Sequence, residues 1–166
     1  MASISDFVSN FQHGARPNLF KVEIPFLGEK MKFFCKSASI PGMSFDNIPI
    51  NYQNNTINIA GDISYQPWQL TIINDKDFLI RKNIERWMGA IKAGYGTSGA
   101  TSLKEYLKSA YVYQLDEEGG EIQGYVLNYC YPSNLGEIPL SFDNQNTVEE
   151  FQLELTYSFF ERNGLL

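Results

Sequence analysis

Near its C-terminus the chain carries a segment of strict two-residue periodicity: across 148–160, Phe151, Leu153, Leu155, Tyr157 and Phe159 alternate with Gln152, Glu154, Thr156 and Ser158. Successive side chains of an extended strand point to opposite faces, so this pattern predicts a long strand with one apolar and one polar side; a helix would scatter the same residues around its axis. Such a strand is long for a small domain and cannot stand alone, because its backbone groups need partners along both edges. The chain is therefore committed to building a sheet.

Shorter runs supply the other strands. Residues 19–24 set Phe20, Val22 and Ile24 against Lys21 and Glu23, and residues 30–37 alternate Met31, Phe33 and Cys35, with Leu27-Gly28-Glu29 between them predicting a hairpin turn. Residues 68–73 place Trp68, Leu70 and Ile72 opposite Gln69 and Thr71, and 111–117 with 121–131 predict a hairpin joined at Glu118-Gly119-Gly120. Helical spacing occurs twice. Ile4, Phe7, Val8 and Phe11 predict a short amphipathic helix that Arg16-Pro17-Asn18 breaks. Ile80, Ile84, Trp87, Met88 and Ile91 predict a longer one over 76–93, capped by Asn74-Asp75 and ended by Gly94. Residues 94–102, rich in Gly, Ser and Thr, predict a loop.

The region 39–62 reads differently. It is rich in Pro, Asn and Gly, yet it carries Ile40, Met43, Phe45, Ile48, Ile50, Tyr52, Ile57 and Ile59, more apolar surface than a solvated loop would hold. It predicts an extended hairpin or a segment that docks on a neighbour. The sum is a mainly β (α+β) chain, a β-sandwich or partly open barrel with one flanking α-helix, and 166 residues predict a single domain over 1–166.

Chemistry is thinly supplied. The one histidine, His13, sits beside Gly14 in a predicted exposed turn, so no triad can be built elsewhere, and one His with two separated cysteines is a poor zinc set. Cys35 and Cys130 read as buried free thiols rather than a disulfide framework. Gly94-Tyr95-Gly96-Thr97-Ser98-Gly99 spells a dinucleotide fingerprint, but a helix ends at its first glycine where a strand should precede it. Asp75-Lys76-Asp77 lacks the spacing of a calcium loop, and Asn54-Asn55-Thr56 is a glycosylation sequon by letters alone. Asp116, Glu117, Glu118 and Glu121 sit at a predicted hairpin tip, where solvated carboxylates are the rule. No catalytic, cofactor-binding or metal-binding residue is expected. With 13 basic against 19 acidic residues and a net charge of -6, the chain is unsuited to gripping phosphate backbones. The first ten residues have no basic start or continuous apolar run, so synthesis and assembly in a cytoplasm are expected.

The motifs themselves are familiar as a set. Ala15-Arg16-Pro17-Asn18-Leu19-Phe20 with Val22-Glu23-Ile24, Phe34-Cys35-Lys36-Ser37-Ala38, Pro41-Gly42, Ile48-Pro49 and Ile59-Ala60-Gly61-Asp62 come first. Trp68, Thr71-Ile72-Ile73-Asn74-Asp75, Trp87, Tyr106, Ser109-Ala110, Pro132-Ser133-Asn134-Leu135-Gly136-Glu137 and the strand 151–157 follow in order. Together they resemble the tail tube proteins of contractile-tailed bacteriophages over nearly the whole chain, least so at 95–103.

The resemblance implies a non-enzymatic virion structural protein without cofactors. Hexameric rings of it would stack head to tail in a helical assembly, the inner sheets joining across subunits into one continuous barrel around a conduit for DNA ejection. The implied partners are sister copies, the tail sheath protein, a baseplate tube initiator, a tail terminator, and the tape measure protein and genomic DNA in the lumen without specific binding. A ring of negatively charged subunits would let DNA slide past. On that reading Phe7, Phe11, Phe45, Ile48, Ile50, Tyr52 and Ile57 are the candidate inter-ring contacts, and Gln69, Thr71, Gln152, Glu154 and Thr156 the candidate lumen-facing residues. The competing readings are the tube of a phage-like contractile injection system, a tube-initiating baseplate protein, and, from another class, a monomeric β-barrel that binds a small apolar ligand with Trp68 and tyrosines as lining.

Overall fold

The computed structural model describes residues 4–11, 14–96 and 102–163. Helix α1 (Ile4–Phe11) forms where the amphipathic spacing places it, and β1 (Phe20–Glu23) buries Val22 while Lys21 stays on the other side. The following segment departs from the expected hairpin. Pro25, which lacks an N–H and fixes its own φ, opens a turn of 3-10 helix over Pro25–Leu27, and Gly28 then takes φ 90. Leu27 and Met31 are buried four residues apart, a helical interval, and α2 (Met31–Phe34) precedes a β2 confined to Cys35–Ser37. The strand expected over 30–37 thus survives only in its last part. Leu27-Gly28-Glu29 is no β-turn, and β1 and β2 lie at opposite ends of the sheet order.

Strands β3 (Met43–Tyr52) and β4 (Asn55–Tyr65) pair with each other alone, and β5 (Trp68–Ile73) follows with Trp68, Leu70 and Ile72 buried as expected. Helix α3 (Leu79–Gly96) starts later than the spacing predicts and runs through Gly94. Asp75 still serves its start, from further upstream: its carboxylate accepts from the N–H of Leu79 at 3.2 Å and of Ile80 at 3.4 Å, while Phe78 turns the chain with φ 55. A short α4 (Leu103–Tyr106), not foreseen, leads into β6 (Lys108–Leu115), which pairs with β7 (Glu121–Leu135).

The long C-terminal strand is two strands, β8 (Glu150–Thr156) and β9 (Phe159–Asn163). The reason lies in β7, whose first half pairs with β6 and β9 and whose second half pairs with β8. Between the halves Tyr129 has φ 57, and the β6 register shifts between Lys108 and Ala110, so β7 changes direction there. Ser158 bridges the gap opposite, its N–H donating to Asn128 O at 3.0 Å. The alternation slips by one at that point: Phe151, Leu153, Leu155 and Tyr157 are buried, but Phe160 rather than Phe159 packs on the core. Phe159 meets Tyr129 edge-on outside it, at 5.7 Å between ring centres.

This bend curls a seven-stranded sheet, ordered β1-β6-β7-β8-β5-β2 with β9 beside β7, into a nearly closed barrel. Val22, Val112 and Leu127 line one half of the core, and Trp68, Leu70, Ile72, Phe151, Leu153 and Leu155 the other. Ile80, Ile84 and Trp87 of α3 close the flank. Each such aliphatic burial contributes about 1.5–3 kcal/mol. Both indoles also tie loops down, Trp68 Nε1–H donating to Ser39 O and Trp87 Nε1–H to Tyr106 O, each at 2.6 Å.

Two consequences are measurable. Gly124 lies under the Tyr113 ring, where an added Cβ would sit 2.7 Å and 2.8 Å from ring carbons, whereas Gly89 in α3 has open space. Gly124→Ala is expected to cost about 1–3 kcal/mol in urea or thermal unfolding, and Gly89→Ala to add about 0.5–1 kcal/mol. Burial pushes the Cys35 and Cys130 thiols up to about 12. Folded protein at pH 8 should therefore react with a thiol reagent about a thousandfold more slowly than a free cysteine, with full reactivity returning in denaturant.

Candidate functional site

The β3–β4 hairpin is where the sequence concentrates apolar side chains outside the core. Its two-residue tip, Gln53-Asn54, adopts φ 47 and 64, the left-handed pair that matches the twist of the strands. The register places Ile48 opposite Ile59, Ile50 opposite Ile57 and Tyr52 opposite Asn55, so one face is a row of isoleucines. The other face is an amide ladder. Asn47 opposes Ala60, Pro49 opposes Asn58 and Asn51 opposes Thr56, with Asn47 Nδ2 donating to Asn58 Oδ1 at 3.0 Å and Thr56 Oγ1 to Asn51 Oδ1 at 2.8 Å. All of β3 is exposed, and the hairpin is rooted by Tyr65, whose ring contacts Tyr157 and Phe160.

A bulge between Phe45 and Asn47 gives β4 one residue more than β3, and Gly61 fits there because a Cβ would lie 3.1 Å from both Asp46 O and Ile48 Cγ1. Phe45, three residues before Ile48, faces away from it by alternation along β3, and the bulge sets Ile63 of β4 opposite Phe45 on that reverse face. Of the candidate contact residues, then, Ile48, Ile50, Tyr52 and Ile57 share a face and Phe45 lies on the reverse. Phe7 and Phe11 are elsewhere: they stack on each other at 5.0 Å on the exposed α1, and Phe11 borders a cleft of about 600 Å³ with Leu19, Leu115 and Ile122.

The five polar candidates come together. Gln69 pairs with Glu154 and Thr71 with Gln152 across β5 and β8, with Thr156 one step further opposite Tyr131, all on the side turned from the core. Gln69 Nε2 reaches Glu154 Oε2 at 3.5 Å, and Ser133 Oγ donates to Glu154 Oε1 at 3.0 Å. At the edge of this face Lys36 Nζ meets Glu150 Oε1 at 2.6 Å. The pairing of Lys36 with Glu150 depends on β2 lying next to β5, which no local pattern announces.

The tempting chemistry resolves into architecture. Asp116 accepts from the N–H groups of Glu118 at 2.9 Å and Gly120 at 2.6 Å, folding the β6–β7 turn, while Glu117 meets Arg16 at 2.8 Å. Glu121 meets Lys21 at 2.6 Å, and this contact, opposed by burial and aided by Glu23, raises the Lys21 amine above its usual range. For Glu23 burial pushes the carboxyl up, but Lys21 at 3.1 Å and Lys32 at 3.3 Å outweigh it and hold it below the usual carboxylate range. Asn54 belongs to the hairpin tip, and Asn55 and Thr56 open β4. His13 and Thr97-Ser98-Gly99 lie outside the described residues, and Gly94 to Gly96 close α3. Trp68, offered as the lining of a ligand cavity, is 1% exposed and part of the core.

One surface escaped the sequence reading. The segment 136–149 between β7 and β8 leaves Leu140, Phe142 and Val148 exposed; 138–147 follow neither period, and Val148, expected to open the last strand, precedes β8.

Comparison with known proteins places these surfaces in context. The family described as "Phage tail tube protein" matches residues 5–163. The chain is 34% identical to tail tube protein gp19 of Enterobacteria phage T4 over 164 residues, 95% of this chain and 99% of the relative. Its fold is similar to a chain in the 6-fold symmetrised baseplate of the anti-feeding prophage (TM-score 0.67, 11% identity, 92% of this chain and 97% of the other). It is similar also to one in the extended sheath-tube complex of PVC, an extracellular contractile injection system (TM-score 0.62, 14% identity, 99% of this chain and 100% of the other). The chain belongs to the phage tail tube protein family.

Proposed function

We propose that this structural tail tube subunit is the repeating, non-enzymatic element of a contractile tail, acting as one domain over its whole length. Six copies close into a ring, and the rings stack head to tail into a conduit for DNA. The observation that carries this reading is the β3–β4 hairpin: an ordered ribbon whose isoleucine row has no partner within the described residues of its own chain. Such a row is costly to leave in water and is satisfied by sister copies. Ile48, Ile50, Tyr52 and Ile57 make the inter-ring contact, with Phe45 engaging from the reverse face and Phe7 and Phe11 adding a second apolar patch at α1.

The polar face of β5 and β8 supports a lumen lining. Gln69, Thr71, Gln152, Glu154 and Thr156 offer hydroxyls, amides and a carboxylate, and the one cation at their edge, Lys36, is paired with Glu150, so a polyanion finds little to hold it. Joining these sheets edge to edge around the ring removes the free strand edges that would otherwise pair at random. A sheath on the outside, a tube initiator at the baseplate, a terminator at the far end and a tape measure protein inside complete the assembly, which is built in the host cytoplasm and resides in the virion tail. The relatives drawn from a sheath-tube complex and a baseplate support the same arrangement.

Electron microscopy and size-exclusion mass of the purified protein after long incubation at high concentration test this directly. Wild type is expected to form tubes. The triple variant Ile48→Ser, Ile50→Ser, Ile57→Ser is expected to remain monomeric with a melting temperature close to wild type, since all three side chains are exposed. A triple variant that polymerises as wild type does, or a wild type that stays monomeric even when given baseplates as nuclei, would contradict the reading.

A further inference from the structure

Head-to-tail stacking is a heterologous contact, so each copy must carry two different surfaces, one for the copy above and another for the copy below. The hairpin supplies one. It is rooted at the Trp68 end of β5, since β4 ends at Tyr65 and β5 begins at Trp68. The 136–149 loop lies at the other end of the same strands: it leaves β7 at Leu135 and enters β8 at Glu150, which pairs with Ile73, the last residue of β5. With 6 residues in β5, about 20 Å of strand separates the two. A translation along the strand direction therefore brings the hairpin of one copy towards the loop of another.

The loop is built to receive it. Phe142 is 102% exposed, Leu140 80% and Val148 67%, and a cleft of about 430 Å³ has Ile138, Pro139, Leu140 and Val148 on its apolar side and Ser141, Asn144, Thr147, Glu149 and Glu150 on its polar side. These side chains stand on a fixed frame. Gly136 N–H donates to Gln152 O at 2.7 Å, Arg81 Nη1 to Gly136 O at 3.0 Å, and Asn74 donates from its backbone to Glu149 O and from Nδ2 to Glu149 Oε2, both at 2.8 Å. A receptor held this way loses little conformational entropy on binding. The two surfaces also match in charge. Residues 47–60 of the hairpin contain no charged side chain, 138–148 contain Asp143 alone, and the two carboxylates that border the cleft are already held, Glu149 by Asn74 and Glu150 by Lys36, so docking leaves neither of these two without a partner.

We propose that the 138–148 loop of one copy is the seat for the β3–β4 hairpin of the next, the isoleucine row entering the Leu140–Val148 cleft and Phe142 closing over it. This rests on the tube-subunit reading above. Two experiments on the full chain separate the two ideas. In tubes assembled from the double variant Ile57→Cys, Val148→Cys, mild oxidation is expected to produce a covalent ladder of copies on a non-reducing gel, absent from either single variant. Well-formed tubes without a ladder would overturn the proposal and leave the tube reading standing. Phe142→Ser, at a fully exposed position, is expected to melt as wild type does while its tube yield falls at least roughly tenfold. Wild-type tube yield from Phe142→Ser would overturn the proposal, as would normal tubes that fail to take on an outer layer, which would assign the loop to a sheath-type partner. Absence of tubes from the wild-type chain under every condition would sink both.

Discussion

The fold depends on one strand serving two partners. β7 carries β6 and β9 along its first half and β8 along its second, and the exchange happens where Tyr129 takes φ 57 and Ser158 bonds Asn128. A left-handed conformation is costly for an aromatic residue and persists because the ladders on both sides fix it. From this bend follow the curl of the sheet, the meeting of its two apolar halves, and the position of α3 against the open flank. It also leaves the two ends of β5 and β8 free, one for the hairpin and one for the 136–149 loop.

Most of the strands were legible because their alternation reflects a single buried face. Trp68, Leu70 and Ile72, and Phe151, Leu153 and Leu155, are buried in the order the pattern predicts. The misreadings have different causes. At Pro25 and Leu27 to Phe34 the apolar residues are buried at helical intervals within a run short enough to imitate a strand, and at Ser158 the alternation crosses a break that tertiary pairing imposes. The first was signalled locally by Pro25 and by the four-residue spacing of Leu27 and Met31, while the second was not. The break at Ser158 is set by β7, which pairs with β8 on one side of it and β9 on the other.

The surfaces proposed for assembly divide in the same way. The hairpin was one of two readings that eight large apolar residues within a Pro- and Asn-rich stretch allowed, and its tip was not legible, since Gln53 takes φ 47 without being a turn-favouring residue. Alternation alone sets Phe45 across the ribbon from Ile48; that Ile63 joins it there could not be read, since this depends on the bulge at Gly61. The loop bearing Leu140 and Phe142 was illegible for a related reason: an aperiodic segment reveals its exposed side chains only once both of its ends are anchored in space. The polar face of β5 and β8 was visible as the reverse of the core pattern. Its partner Lys36 was not, because it comes from a strand distant in sequence.

The proposed assembly rests on one contrast: among the described residues nineteen apolar side chains are buried while an ordered isoleucine row stands in water. The most direct test of that claim is limited proteolysis across 43–65 in the free subunit and in intact tails. Sister copies that cover the hairpin will make this segment resistant in tails and readily cut in the isolated chain. Equal resistance in both states would show that the hairpin is complete without its neighbours.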